Sequence, residues 1–148
     1  MLYILIKTIS AGIASFFFGL IFNSREKRLV FAGIAGAIGW FIYDYTKFLN
    51  FSSTSSYFLA SLGITFFAEL SARKLKTPTT VIFIPALIPI VPGGGIYYTF
   101  SFFLKKEIFA ALDKGLETVV VSGALAFGIL FVSTIFKVFQ KIKEIKKL

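Results

Sequence analysis

"IPALIPIVPGGGIYYT", residues 84–99, lies where the hydropathy predicts a membrane-spanning helix. Yet it carries Pro85, Pro89 and Pro92, followed by Gly93, Gly94 and Gly95. In one regular helix over residues 81–104 each proline would lack an amide donor and press on the preceding turn, at about 3 kcal/mol apiece, and each glycine would cost about 1 kcal/mol relative to alanine. A penalty on the order of 10 kcal/mol predicts that the helix is broken here by design. Freed carbonyls and amides cannot face lipid, so the break is expected to be buried in protein or to line a wet cavity near mid-membrane. The glycines would permit left-handed backbone and close approach of a ligand. No Gly-Lys-Ser/Thr follows, so the stretch is not a nucleotide-binding loop.

Outward from this stretch, the 148-residue chain is 57% hydrophobic with a mean hydropathy of +0.85. Those values are far above the soluble norm, and the long apolar runs read as helices and not as the alternating strands of a barrel. The predicted fold is all-α, a polytopic membrane protein forming one domain over residues 1–148. About five spans emerge, at residues 2–22, 29–49, 56–72, 80–104 and 116–136, each near the roughly 20 residues that cross the hydrocarbon core. The fourth is the broken one. The first runs into basic "NSREKR" without a clear cleavage site and reads as a retained span, not a signal peptide.

A net charge of +9 raises the question of nucleic acid. The basic residues instead fall between and after the apolar runs, where they set orientation, so no nucleic-acid partner is expected. Arg25, Lys27 and Arg28, then Arg73, Lys74 and Lys76, then the basic tail 137–148 with Lys137, Lys141, Lys143, Lys146 and Lys147 all belong in the cytoplasm. The connections holding Asp44 and Lys47, and Lys105, Lys106, Glu107, Asp113 and Lys114, belong outside. The N-terminus is therefore expected outside, the C-terminus inside, and residues 80–104 cross once. With no cysteine and no histidine, disulfides, thiol nucleophiles, Ser-His dyads and the usual zinc or haem ligands are excluded; neither a metal, a cofactor nor an enzymatic activity is expected.

Small residues mark close packing. In "FAGIAGAIGW" the pairs Ala32/Gly36, Gly33/Ala37 and Ala35/Gly39 sit four apart, joined by Gly12 and Gly19 in the first span and Gly123 and Gly128 in the fifth. Internal packing is the favoured use, and a seam in a homo-oligomer is the other. Leu104, Ile108, Leu112 and Leu116 predict a short amphipathic helix lying at the outer surface, and Val138, Ile142 and Ile145 a surface-lying extension of the last span.

Polar residues near the break are the candidate site. Ser61, Thr65, Glu69 and Arg73 recur every four residues on the third span and form an inward stripe. Glu69 and Arg73 stand in the favourable acid-before-base order of an ion pair; the functional alternative makes Glu69 a proton-coupling carboxylate and Arg73 or Lys76 a substrate contact. Thr79 and Thr80 are expected to cap the fourth span, at a helix end that favours anions. Tyr97 follows the glycines as an exit-path residue or an interface aromatic. Thr79, Thr80, Pro85, Pro89, Pro92, Gly93, Gly94, Gly95 and Tyr97 are thus the candidate substrate-binding residues, and Glu69, Arg73 and Lys76 the candidate coupling or ion-pair residues.

The run "AELSARKLKTPTTVIFIPALIPIVPGGGIYYTF", preceded by "GIAGAIGW" and followed by "EIFAALDKGLETVVVSGALAFGI", resembles the small membrane subunit of the threonine/serine exporter family, of the ThrE or YjjB-like type. The likeness covers most of the chain. Ala72, Arg73 and Lys74 match the family's basic segment, Lys76 and Pro78 its Lys-x-Pro, and Pro85, Pro89, Pro92 and Gly93 its Pro-rich element; Ala86 departs from the glycine expected after the first proline. The resemblance implies a half-transporter in the bacterial cytoplasmic membrane, working with a larger membrane subunit to export threonine and serine, or succinate. Five spans here and a partner half inserted the other way up would make an inverted repeat. The alternative is a non-transporting scaffold or pore-forming subunit, in which the prolines only shape packing.

Overall fold

A computed structural model describes residues 1–145, and every regular element among them is helical. They are α1 (Leu2–Ile21), α2 (Lys27–Phe48), α3 (Ser53–Leu75), α4 (Thr80–Leu87), a 3-10 turn (Ile88–Ile90), α5 (Gly93–Leu104) and α6 (Ile108–Ile145). Tight polar turns join them. Asn23 adopts φ 56° after α1, and the amides of Asn23 and Ser24 donate to Leu20 and Gly19 carbonyls at 2.9 Å, closing the last turn. Ser52 caps α3 through an acceptor bond from the Ser55 amide at 3.2 Å. At the far end of α3, Lys76 takes the left-handed cap position with φ 49°.

Side-chain pairs give the topology. Lys7 meets Asp44, and a Cβ on Gly12 would lie 3.2 Å from both Ala37 Cβ and the Gly33 carbonyl, so α1 and α2 run antiparallel. Phe31 stacks on Phe67 and Tyr43 packs on Tyr57, so α3 turns back again. Phe58 meets Phe127 and Phe66 meets Phe136, which sets α6 parallel to α3. The broken segment Thr80–Leu104 makes the return between them. A core of Ala32, Ala35, Ala60, Ile64, Ala68, Ala72, Ile82, Ala86, Ile90 and Leu125 joins α2, α3, α4, the 3-10 turn and α6.

Alanine dominates this core, with the buried Gly33, Gly36 and Gly39 of α2 beside it, because the helices touch backbone to backbone. A Cβ on Gly39 would run into the Ile64 side chain. One on Gly128 would strike Ser61 and lie 2.9 Å from the Phe58 carbonyl. The small residues of α2 thus serve packing inside the chain. Gly123 differs: nothing lies within 4 Å of its Cβ position, so it does not join the packing expected of it.

Three helices, α1, α2 and α6, are long and apolar enough to cross a membrane, and the bent pair Thr80–Ile90 with Gly93–Leu104 makes a fourth if counted as one span. The helix α3 has 23 residues, but its serines, Glu69, Arg73 and Lys74 keep it out of that set. Helix boundaries shift from the expected ones by a few residues, since α2 begins at Lys27 and α3 reaches Leu75. The amphipathic surface helix expected from Leu104 to Leu116 is not a separate element. α5 ends at Leu104, residues 105–107 turn, and Ile108 opens α6, which continues unbroken through Val138 and Ile142 to Ile145. No proline stands between Ile108 and Leu116, so nothing breaks the helix there. At 38 residues α6 is about 57 Å long, well beyond a hydrocarbon core of about 30 Å. Lys146 and Lys147 of the basic tail lie outside the described residues.

The contrast between crowded and open glycines is testable. Gly39→Ala should lower stability by about 1–3 kcal/mol through overpacking against Ile64, and Gly123→Ala, which meets open space and is the better helix former, should raise it by about 0.5–1 kcal/mol. Reversible denaturation of the purified chain in mixed micelles measures both.

Candidate functional site: a cleft at the break

The broken segment bends by 46° between Ile90 and Gly93. Pro85 lies buried inside α4, Pro89 in the 3-10 turn, and Pro92 at the N-cap of α5. Each proline deprives a carbonyl of its usual donor four residues back. The one orphaned by Pro85 is Val81, and the buried Ser24 hydroxyl, from the α1–α2 turn, donates to it at 3.4 Å. The one orphaned by Pro92 is Ile88, which accepts from the Val91 amide at 3.3 Å. Pro92 itself (φ −73°, ψ 56°) forms an inverse γ-turn, in which the Gly93 amide donates back to the Val91 carbonyl at 2.6 Å.

Of the three glycines only Gly95 answers a steric need, and none supplies left-handed backbone. No glycine among the described residues has positive φ, so the expected left-handed backbone is absent; all three enter α5 as ordinary helix. Gly93 and Gly94 are exposed, with nothing within 4 Å of their Cβ positions. Gly95 is the crowded one, since its Cβ would collide with Thr118 of α6. One turn on, Thr99 and Gly115 repeat the arrangement in reverse, with a Gly115 Cβ 3.3 Å from the Thr99 methyl. Both threonine hydroxyls bond to their own helix, Thr99 to the Gly95 carbonyl at 2.8 Å and Thr118 to that of Lys114 at 2.7 Å.

Beside this close approach lies a polar cleft of about 150 Å³, lined by Tyr43, Ser53, Tyr57, Pro92, Gly95, Lys114, Glu117, Thr118 and Val121. Lys114 Nζ meets Glu117 Oε2 at 2.7 Å on its wall. The pair is 33% and 52% exposed, so it adds little to stability. Its two charges can instead face opposite charges on a small ligand. Tyr43 and Tyr57, with ring centroids 4.7 Å apart, form the opposite wall.

The structure brings Pro92 and Gly95 of the expected site into this cleft and disperses the rest. Glu69 and Arg73 do form the ion pair, at 3.1 Å, but Arg73 lies 4.3 Å over the Phe136 ring of α6. Their stripe faces the α3–α6 seam, where Ser61 and Thr65 donate to carbonyls of their own helix at 2.7 Å. Lys76 is the exposed cap of α3. Thr79 occupies the N-cap of α4 with helical φ −57° and makes no capping bond, and Thr80 is the first helical residue, so neither caps as expected. Tyr97 is 68% exposed on α5, edge-to-face with Tyr98. Tyr43, Ser53, Tyr57, Glu117 and Thr118 escaped the sequence reading, which counted Lys114 only as a loop charge. The reciprocal Gly95/Thr99 and Gly115/Thr118 spacing was the available signal.

The Gly95–Thr118 contact predicts a double-mutant signature. Gly95→Ala alone should destabilise, and Thr118→Ala in the same chain should recover about 1–2 kcal/mol of that loss by making room. Denaturation midpoints of the two single variants and the double one check it.

No curated protein and no solved structure matches the chain significantly. The model of the family described as "Threonine/Serine exporter, ThrE" matches residues 7–135, a stretch that contains the break, the cleft and all the core residues, and the chain belongs to that family.

Proposed function

We propose that this chain is one half of a secondary exporter of small carboxylated metabolites, threonine and serine or succinate, completed by a larger membrane subunit of the same family. The cleft at the break is its substrate site, and the observation that carries this reading is the Lys114–Glu117 pair standing with Thr118 and two tyrosines against Pro92 and Gly95. A volume near 150 Å³ suits a small metabolite, well below the roughly 300–1,000 Å³ of drug-sized pockets. Discontinuous helices of this kind supply exposed amides and carbonyls to substrates in many secondary transporters.

In this reading the chain crosses the membrane five times. α3 is the third crossing, its polar stripe turned to α6, and the bent pair α4–α5 is the fourth. Arg25, Lys27, Arg28 and Leu75 line one hollow, so the α1–α2 turn and the end of α3 share one end of the bundle. That clustering supports placing this end in the cytoplasm of the bacterial inner membrane and the N-terminus outside. The need for a partner follows from α5. It buries none of its residues, and the Gly94 and Gly95 amides donate to no acceptor among the described residues. Lipid cannot satisfy such groups, whereas a second protein half can.

Flux decides the matter. Inner-membrane vesicles holding this chain with the larger subunit should move threonine, serine or succinate across the membrane. Vesicles with this chain alone should not, and transport by the single chain would overturn the half-transporter reading. Lys114→Met, with assembly unchanged on a sizing column, should lower flux about tenfold or more, the loss expected for a hydrogen bond to a charged group; unchanged flux would leave the cleft as a packing feature of a scaffold.

A further inference from the structure

The hollow at the α1–α2 turn holds charge that the chain does not answer. Arg25, Glu26, Lys27 and Arg28 come from the turn and the start of α2, Leu75 from the end of α3, and together they enclose about 300 Å³. The three ion pairs among the described residues are Lys7–Asp44, Glu69–Arg73 and Lys114–Glu117. None of the charged groups around the hollow therefore has an ion-pair partner among those residues, and all four are exposed. Lys74 and Lys76, on either side of Leu75 in the chain, add positive charge at the same end of α3.

The local backbone gathers this charge. Glu26 takes φ 54° and ψ −131° at the N-cap of α2, its side chain makes no capping bond, and no acidic residue follows in the first helical turn. Three cations thus stand against one carboxylate, and what the hollow lacks is an anion from outside the chain. Arg25 and Arg28 can each present a planar fork of donors to phosphate oxygens, and Lys27 adds a point charge. Glu26 is an acceptor for hydroxyls carried by the same ligand.

The apolar surroundings say which phosphate fits. Ile21 and Phe22, 75% and 52% exposed, close α1 just before the turn, and Leu75 lines the hollow itself. A soluble phosphate gains nothing from such neighbours. Acyl chains can run along them while the head group stays with the cations, as in basic pockets between membrane helices.

We propose that this hollow binds the head group of an anionic phospholipid, a phosphodiester bearing free hydroxyls of the phosphatidylglycerol kind. Arg25 and Arg28 hold the phosphate oxygens, Lys27 adds charge, Glu26 accepts from a head-group hydroxyl, and the acyl chains pass Ile21 and Phe22. Ser24, next to Arg25, donates at 3.4 Å to the Val81 carbonyl that Pro85 leaves free, so a lipid that steadies this turn also steadies the broken segment. Along α2 the hollow begins at Lys27 and the polar cleft reaches Tyr43, about 24 Å apart at 1.5 Å per residue. The lipid site is therefore separate from the cleft and needs neither a substrate nor a second half.

Native mass spectrometry tests it. The purified full chain, taken from micelles holding equal amounts of phosphatidylglycerol and phosphatidylcholine, should retain phosphatidylglycerol about tenfold or more over phosphatidylcholine. Replacing both arginines, Arg25→Gln with Arg28→Gln, should cut that retention about tenfold or more. Lys137→Gln, which removes a cation of α6 that does not line the hollow, should leave it unchanged, and inorganic phosphate in millimolar excess should not displace the lipid. Sizing-column behaviour and helical ellipticity identify a variant that fails to fold, and Arg28→Gln alone is then compared. Equal retention of the two lipids, full retention by the folded arginine variant, an equal loss in Lys137→Gln, or displacement by inorganic phosphate overturns the proposal. Vesicle flux is read separately, so failure here leaves the export reading standing.

Discussion

The fold is arranged around one constraint, that a backbone interrupted within an apolar bundle must find its hydrogen-bond partners in protein. A proline in a soluble helix frees a carbonyl that solvent can take. In an apolar bundle the same carbonyl needs a protein donor, and several kcal/mol hang on finding one. Ser24 answers for Val81 from the α1–α2 turn, which ties that turn to α4. Val91 answers for Ile88, and the γ-turn at Pro92 folds the chain tightly enough to start α5 at a new angle. The bend is a sequence of local satisfactions with a remainder at the edge, the first turn of α5, where the Gly94 and Gly95 amides find no acceptor among the described residues.

The second organising fact is backbone proximity. Apolar side chains gain little from each other in lipid, so helices associate through close van der Waals fit. The small residues of α2 admit α1 on one side and α3 on the other, and Ala86 and Ile90 bring the broken segment into the same core. At the α5–α6 contact glycine and threonine exchange roles along one turn, so that the helices approach closely exactly beside the cleft that carries charge. Packing and polarity are therefore adjacent by necessity: the small residues that permit contact also leave the space that a ligand or a hydroxyl can enter.

Much of this was legible in the sequence. Helical membrane character follows from apolar run length, the break from the penalty of three prolines, close helix packing, though not which helices meet, from four-residue spacing of glycine and alanine, and the Glu69–Arg73 pair from its i,i+4 order. These are local properties, fixed within a turn or two of chain. The errors were local patterns overruled by continuity or by distant partners. Leu104 to Leu116 has an amphipathic period, yet nothing stops Ile108 from opening the same helix that ends at Ile145. Thr79 is a good capping residue, but its helical backbone angles turn the hydroxyl away from that duty.

By itself the sequence determined the helices, the existence of the break and the family-bearing motif, because hydropathy, proline and glycine act on the residues next to them. Only the tertiary structure decided which side of the break is polar. Tyr43, Tyr57 and Thr118 come from three different helices, and Lys7 meets Asp44 across 37 positions of chain. No spacing rule links such residues. They are brought together by the way α2 and α6 pack against the bent segment, and that is set by the summed fit of the small-residue contacts and not by any one stretch.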